Sequence, residues 1–205
     1  RQLSFPPAKM EPDFPAWSAA PLARLADFAG MLGWRSALRT TALKVMGEDV
    51  RADPSAWRAA TGRSLKSFDE TLAELPGTAQ ERLFARAEIA LPVTIVILAI
   101  FWLASGVIGL LRIEEAAAHL PQFGDDAARV MVIGGALLDL AVGIGVLWRR
   151  TSRAAMVASI FVALIYLFLG TLFAPQIWAD PLGPYVKVLP AIALAFAGAL
   201  LLEER

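Results

Sequence analysis

The chain contains no cysteine and a single histidine, His119, in 205 residues. The absence of cysteine excludes disulfides, iron–sulfur clusters and dithiol redox chemistry within the chain. One histidine excludes a histidine-rich metal site and a pair of axial haem ligands. Basic and acidic residues balance at 19 each, so no basic surface for nucleic acid is expected. We therefore predict neither a bound metal nor a nucleic-acid partner.

Apolar residues, in contrast, make up 57% of the chain, above the usage of about 45–50% in soluble domains. They concentrate in four long runs, each close to the roughly 20 residues that cross a hydrocarbon core as a helix. The runs are Ile89–Leu111, Val130–Trp148, Ala154–Phe173 and Tyr185–Leu202. The sequence therefore predicts an all-α fold, a four-span transmembrane helix bundle in contact with the lipid bilayer.

Residues 1–77 are polar and irregular, and we expect them to form a small helical cytoplasmic segment before the membrane domain at 78–205. Pro21 is predicted to begin a first helix and Ser36 a second. Shorter helices are expected to follow Asp53 and Ser67, and the first of these is expected to stop at Gly62. A segment of this size cannot enclose a core of its own. One face of the first predicted helix is apolar and consists of Leu22, Leu25, Phe28, Ala29 and Leu32.

The loops between the predicted spans differ in charge. Residues 148–153 read WRRTSR, with three arginines and no acid, whereas residues 174–184 contain no basic residue. Arginine-rich loops remain on the cytoplasmic side of a membrane. The sequence thus predicts that the 148–153 turn and both chain termini are cytoplasmic.

Asp139 lies at the centre of the second apolar run, in GGALLDLAVGIGV. A carboxylate at this depth costs about 2.5–3.5 kcal/mol on insertion scales, so a partner or a function is expected. Gly135 and Gly143 flank it at four-residue spacing, a pattern typical of close helix packing. Two interpretations remain open: Asp139 stabilises packing by a hydrogen bond to a neighbouring helix, or it is a proton or ligand site in a cavity.

Lys187 lies in the first turn of the fourth span, where the helix dipole disfavours a cation. It either extends to the outer interface or pairs with Asp180, with Asp139 or with an anionic ligand. Counting along the helices places Ser105, Tyr166 and Trp102 in the outward half of the bundle. Together with Asp139 and Lys187, these side chains could line a cavity that opens to the outer side. The candidate ligand-binding residues are Asp139, Lys187, Tyr166, Trp102 and Asp180.

Three stretches together suggest a family. They are QERLFARAEIALPVTIVILAIFWLASGVIGLL, GGALLDLAVGIGVLWRR and YLFLGTLFAPQIWADPLGPYVKVLP. Residues 78–205 resemble a DoxX-like membrane domain of the type fused to the C-terminus of NAD(P)-binding short-chain dehydrogenase/reductase-like proteins. Residues 1–77 resemble the segment that follows the nucleotide-binding domain in such fusions. The chain begins with Arg-Gln-Leu-Ser rather than Met, which we expect of a piece of a longer polypeptide.

The resemblance implies a multi-pass protein of the bacterial inner membrane that is associated with oxidoreductases, some of which use quinones. NAD(P) would bind the preceding domain and not this chain, which has no glycine-rich nucleotide loop. We therefore expect a membrane-embedded accessory domain of an NAD(P)-dependent oxidoreductase and not a complete enzyme. This domain would anchor the oxidoreductase in the membrane and offer a site for a quinone or other lipophilic substrate. The alternatives are a purely structural anchor and a permeation path for protons or small molecules; homo-oligomerisation stays open.

Overall fold

The structure is a computed structural model, and it describes residues 15–36, 38–46, 48, 52–75 and 77–202. The described residues are all-helical, with 80% of them in helices and none in a strand. The predicted fold class is therefore confirmed. The chain divides into two compact units, residues 1–86 and residues 87–205.

Four helices of the first unit precede the apolar part of the chain, and two of them begin at different residues from those predicted. They are α1 (Ala16–Met31), α2 (Thr40–Met46), α3 (Ser55–Thr61) and α4 (Phe68–Glu74). Helix α1 begins before Pro21 because the preceding stretch AWSAA is compatible with a helix, and the proline removes only one backbone hydrogen bond. Helix α2 begins at Thr40 rather than at Ser36. At this start, the carboxylate of Asp27 accepts the Thr40 backbone N–H at 3.3 Å.

The ends of α3 and α4 follow the predicted capping signals. Gly62 terminates α3 in the left-handed region, with φ of 66°. Ser67 begins α4 with a capping box, in which its hydroxyl accepts the Glu70 N–H and the Glu70 carboxylate accepts the Ser67 N–H. Neither helix contains a buried residue among those described. These short helices are therefore held by local hydrogen bonds and not by a core.

The apolar part of the chain contains four helices long and apolar enough to cross a membrane. The α-helices here are α5 (Ala79–Leu111), α6 (Ile113–Ala117), α7 (Asp125–Leu147), α8 (Ser152–Phe173) and α9 (Pro184–Leu201). Two short 3-10 helices, Pro121–Phe123 and Pro175–Ala179, lie in the connectors before α7 and α9. Each predicted span lies within or at most one residue beyond one of the long helices α5, α7, α8 and α9. The chain is thus a multi-pass membrane protein.

Small residues bring the long helices of the second unit close together. A Cβ atom on Gly106 of α5 would lie 2.7 Å from the carbonyl oxygen of Ala136 on α7. A Cβ atom on Gly143 of α7 would lie 2.7 Å from Cγ of Leu103 on α5. Helix α9 approaches both α5 and α8 in the same way at Gly198. Because atoms of the neighbouring helices fill the space of the missing side chains, the four helices pack as a bundle.

Candidate functional site: a buried carboxylate at the end of a cavity

Side chains of three helices meet at Asp139, which is 4% exposed. The Ser105 hydroxyl on α5 donates to Asp139 Oδ2 at 2.6 Å. The Tyr166 hydroxyl on α8 donates to Asp139 Oδ1 at 2.9 Å and lies 3.1 Å from the carbonyl oxygen of Gly135. These three side chains, named here the Asp139 triad, link α5, α7 and α8 by hydrogen bonds inside the bundle.

The close approach of α5 to α7 is what allows the short serine side chain to reach the carboxylate. Gly106 follows Ser105 directly and packs against α7 without a side chain. On the other flank, a Cβ atom on Gly135 would lie 3.3 Å from the Tyr166 hydroxyl, so the glycine leaves room for the phenol. The small residues beside Asp139 thus serve two different helices, one on each side of the carboxylate.

The depth of the triad differs between its helices. Asp139 follows Asp125 by 14 residues and precedes Leu147 by eight. It therefore lies nearer the C-terminal end of α7, whereas the sequence predicted a position midway between the two ends of the span. Ser105 and Tyr166 lie only six and seven residues before the ends of α5 and α8, or about 9–10 Å along their axes. Because helical side chains point toward the N-terminus, the Asp139 carboxylate extends toward those same ends.

No basic side chain forms an ion pair with Asp139 among the residues that the structure describes. Each carboxylate oxygen accepts one hydroxyl and retains further lone-pair capacity, since an ionised carboxylate offers about four acceptor positions. In an apolar interior such a group is costly unless its partners are complete. The arrangement can therefore accept another hydrogen bond or a proton from a bound molecule.

A cavity of about 540 Å³ borders the triad. Ser105, Asp139 and Tyr166 line one part of it, and residues of the two connectors line another, including His119 and Ile177. Most of the remaining wall is apolar or glycine, with Met131, Leu138, Leu169, Gly170 and Phe173 among its members. Apolar walls with a few convergent polar groups are typical of small-molecule sites.

The opposite side of the triad is densely filled. Leu98, Val146 and Met156, which lie toward the 148–153 turn in their helices, are at most 1% exposed. These side chains leave the Asp139 cavity bounded on that side by packed apolar groups. The cavity therefore extends from the carboxylate toward the connectors at 112–124 and 174–183, the side that the loop charges predict to face outward.

The structure places the other predicted site residues at different distances from the triad. Trp102 is 3% exposed and packs against Tyr166 with ring centroids 6.5 Å apart, and its indole N–H has no hydrogen-bond partner among the described residues. Lys187 and Asp180 are exposed, line no part of the cavity and form no ion pair within the described part of the chain. The Asp180 carboxylate instead accepts the Leu182 backbone N–H at 2.7 Å.

Two polar residues of the cavity wall were not identified from the sequence. His119 and Tyr185 contribute from the α6 connector and from the start of α9. The Tyr185 ring packs edge-on against Trp178 at 5.2 Å between centroids. His119 lies between the first two predicted spans and Tyr185 begins the fourth, so their positions in the sequence do not reveal the direction in which their side chains point. Within the described residues, no cluster of three or more His, Asp or Glu side chains could hold a metal ion.

Comparison with known proteins identifies the part of the chain that holds the site. No curated protein matches the chain, and no solved structure matches it. A family model, described as the DoxX-like family, matches residues 99–196. This span includes Ser105, Asp139 and Tyr166 and reaches from α5 to α9. Residues 99–196 are thus similar to the DoxX-like family, and the Asp139 triad lies within this matched span.

Proposed function

We propose that the bundle is the membrane-embedded accessory domain of an NAD(P)-dependent oxidoreductase and that its cavity binds a lipophilic substrate with a hydrogen-bonding head group. The single observation that carries the proposal is the Asp139 carboxylate, which lies buried at the end of a cavity of about 540 Å³ with no cation beside it in the described part of the chain. Buried ionisable groups inside membrane bundles are expensive and usually mark a substrate or proton pathway.

The chemistry of the cavity favours a ligand that donates a hydrogen bond. The Asp139 oxygens accept from Ser105 and Tyr166, and their free lone pairs are suited to a hydroxyl or a protonated amine. A quinol offers such hydroxyls on an apolar ring. When NAD(P)H of the attached domain reduces a bound quinone to the quinol, protonated Asp139 would donate one of the two protons that the quinone takes up, while Tyr166 and Ser105 hold the carboxyl group in place.

The first unit is consistent with the predicted attachment of an NAD(P)-binding domain on the cytoplasmic side of a bacterial inner membrane. Several apolar side chains of α1 are exposed within the described chain, which is the feature expected of a surface that packs on another domain. They include Leu22, Leu25, Phe28 and Met31. The sequence has no glycine-rich nucleotide loop, so electron transfer from NAD(P) would begin in the attached domain.

The test is to measure binding of a short-tailed benzoquinone and of its quinol to the full chain in lipid nanodiscs. Binding is detected by the quenching of tryptophan fluorescence. Asp139→Asn is expected to weaken binding roughly tenfold, because a hydrogen bond to a charged group contributes about 1.5–3 kcal/mol. Ser159→Ala is the matched control, since Ser159 is buried in α8 and its hydroxyl donates to the Met156 carbonyl away from the cavity. Lys187→Met is a second control at an exposed position.

A second candidate function is a purely structural anchor. It is favoured by the hydrogen bonds that both Asp139 oxygens already accept from neighbouring helices. Absence of quinone and quinol binding by the wild-type chain would support this alternative, as would equal affinity in Asp139→Asn and in the controls. Permeation is less well supported because Leu98, Val146 and Met156 fill the core beyond the triad. A proton leak in liposomes above that of protein-free lipid would contradict this last argument.

A further inference from the structure

A second feature of the bundle lies at the end opposite to the cavity mouth, where α7 turns into α8. The turn contains Arg149, Arg150 and Arg153 and no acidic residue. Two of these arginines and one face of α8 line a groove of about 540 Å³. We name it the arginine groove; it consists of Arg150, Arg153, Ala154, Val157, Ala158 and Phe161.

The arginine groove combines charge at one end with an apolar floor. Arg150 and Arg153 are exposed at the start of α8, while Val157 and Phe161 continue along the same helix into the apolar span. From Arg153 to Phe161 the helix rises about 12 Å. Cations above a membrane-depth apolar strip match the order of chemical groups in a phospholipid, whose phosphate lies above its acyl chains.

A neighbouring groove of about 570 Å³ lies on the other side of the ridge formed by Ala154 and Ala158. These two residues line both grooves, so the two spaces are contiguous across one pair of alanine methyl groups. The second groove is bounded by Gly145 and by the indole of Trp148, which is exposed at the end of α7. Tryptophan is enriched at the depth of the lipid head groups.

We propose that the arginine groove binds one anionic phospholipid, with its phosphate between Arg150 and Arg153 and its two acyl chains on either side of the Ala154–Ala158 ridge. The occupant follows from charge complementarity together with the position of the cations at the membrane end of an apolar groove. Contacts with acyl chains alone would give no preference for this groove over the rest of the bundle surface, because lipid surrounds the whole bundle. Selectivity comes from the head group, since basic pockets beside membrane helices attract anionic lipids.

The experiment is native mass spectrometry of the full chain with added phosphatidylglycerol or phosphatidylcholine of identical acyl chains. Phosphatidylglycerol is expected to bind more tightly, and Arg150→Gln together with Arg153→Gln should remove the preference, at about fivefold in affinity for each arginine. Arg112→Gln is the matched control, because Arg112 is an exposed arginine next to a membrane helix and pairs with Glu115. It should leave the preference unchanged.

A second variant tests the apolar part of the groove without altering charge. Ala158→Phe fills the ridge between the two grooves and is expected to weaken phosphatidylglycerol binding while the arginines remain. Equal binding of the two lipids by the wild-type chain would overturn the proposal, as would equal loss in Arg112→Gln. A dimer that Ala158→Phe dissociates, without any head-group preference, would assign this face to a second copy of the chain instead. Glycerol phosphate that competes as well as the lipid would assign it to free phosphate.

Discussion

Two carboxylates, one in each unit of the chain, accept hydrogen bonds from residues of another segment in quite different surroundings. Asp27 on α1 accepts from the Thr40 hydroxyl at 2.7 Å and from the Arg39 side chain at 3.3 Å, at the surface of the first unit. Asp139 on α7 accepts from Ser105 and Tyr166 inside the bundle, with no cation among the described residues. Water competes for the partners of Asp27, whereas the partners of Asp139 have few alternatives.

The same pattern of hydrogen bonds to a carboxylate therefore contributes differently to stability in the two environments. An exposed carboxylate with an arginine beside it contributes little, since solvent screens the pair. A buried carboxylate without a counterion is costly unless every partner is in place. The Asp139 triad is accordingly the place where packing and any ligand chemistry depend on each other, while the Asp27 cluster only sets where α2 begins.

The largest expected effect comes from adding a methyl group at Gly106 in the bundle, and Gly30 in the first unit offers the comparison. At Gly106 the new Cβ would lie 2.7 Å from a backbone carbonyl of α7, which cannot move away by itself. At Gly30 it would lie 2.9 Å from the tip of the Arg39 side chain, which can rotate. We expect Gly106→Ala to destabilise the bundle by about 1–3 kcal/mol and Gly30→Ala to have little effect.

Thermal unfolding of the full chain in detergent micelles, followed by circular dichroism, measures both substitutions. Gly134→Ala is the control inside α7, because a Cβ atom on Gly134 would meet nothing within 4 Å. If Gly106→Ala unfolds at the temperature of Gly134→Ala, then α5 and α7 are not as tightly packed as described.

The next effect compares the two carboxylates directly. Asp139→Leu removes two hydrogen bonds between helices and is expected to destabilise the bundle by about 1–2 kcal/mol, since such bonds average about 0.6 kcal/mol in membrane proteins. Asp27→Leu should leave the melting temperature of the bundle unchanged, because it alters an exposed contact in the first unit. The same micelle melting experiment applies, and an unchanged melting temperature in Asp139→Leu would mean that the triad does not hold the helices together.

The smallest effect is a pH dependence confined to the first unit. The hydrogen bond from the Thr40 hydroxyl is the main cause that holds the pKa of Asp27 below its ordinary value; partial desolvation opposes it and Arg39 adds to it. A depressed pKa stabilises the folded contact above the unfolded value of about 3.9, and the contribution is lost as the pH falls through the folded pKa. The contact between α1 and α2 should therefore loosen only in acid below about pH 4.

A spin label can report this loosening because the chain has no cysteine to interfere. With the label at Lys44→Cys on α2, its mobility should rise in acid for the otherwise unchanged chain. In an Asp27→Asn background the mobility should already be high at neutral pH and should not change further. A label that responds to acid equally in both backgrounds would show that another group is responsible.

Much of the fold followed from local signals. Four apolar runs predicted four membrane helices, and each run lies within or at most one residue beyond a long helix, because helix length and hydropathy are matched to the bilayer. Gly62 and Ser67 predicted helix ends correctly because capping is a property of neighbouring residues. The start of α1 was predicted too late because Pro21 lies inside the helix, and the start of α2 was predicted too early because Asp27, 13 residues away, receives the Thr40 N–H.

The sequence by itself determined that the chain spans the membrane four times and that one carboxylate lies deep in the second span. Hydropathy and residue counting report depth, and they placed Ser105, Tyr166 and Trp102 in the same outward half of the bundle and Asp139 at its centre. Only the tertiary structure decided that Ser105 and Tyr166 reach Asp139 while Lys187 remains exposed and without an ion pair within the described chain. The physical reason is that these helices are apolar around much of their circumference, so their rotation is set by where glycines allow close contact.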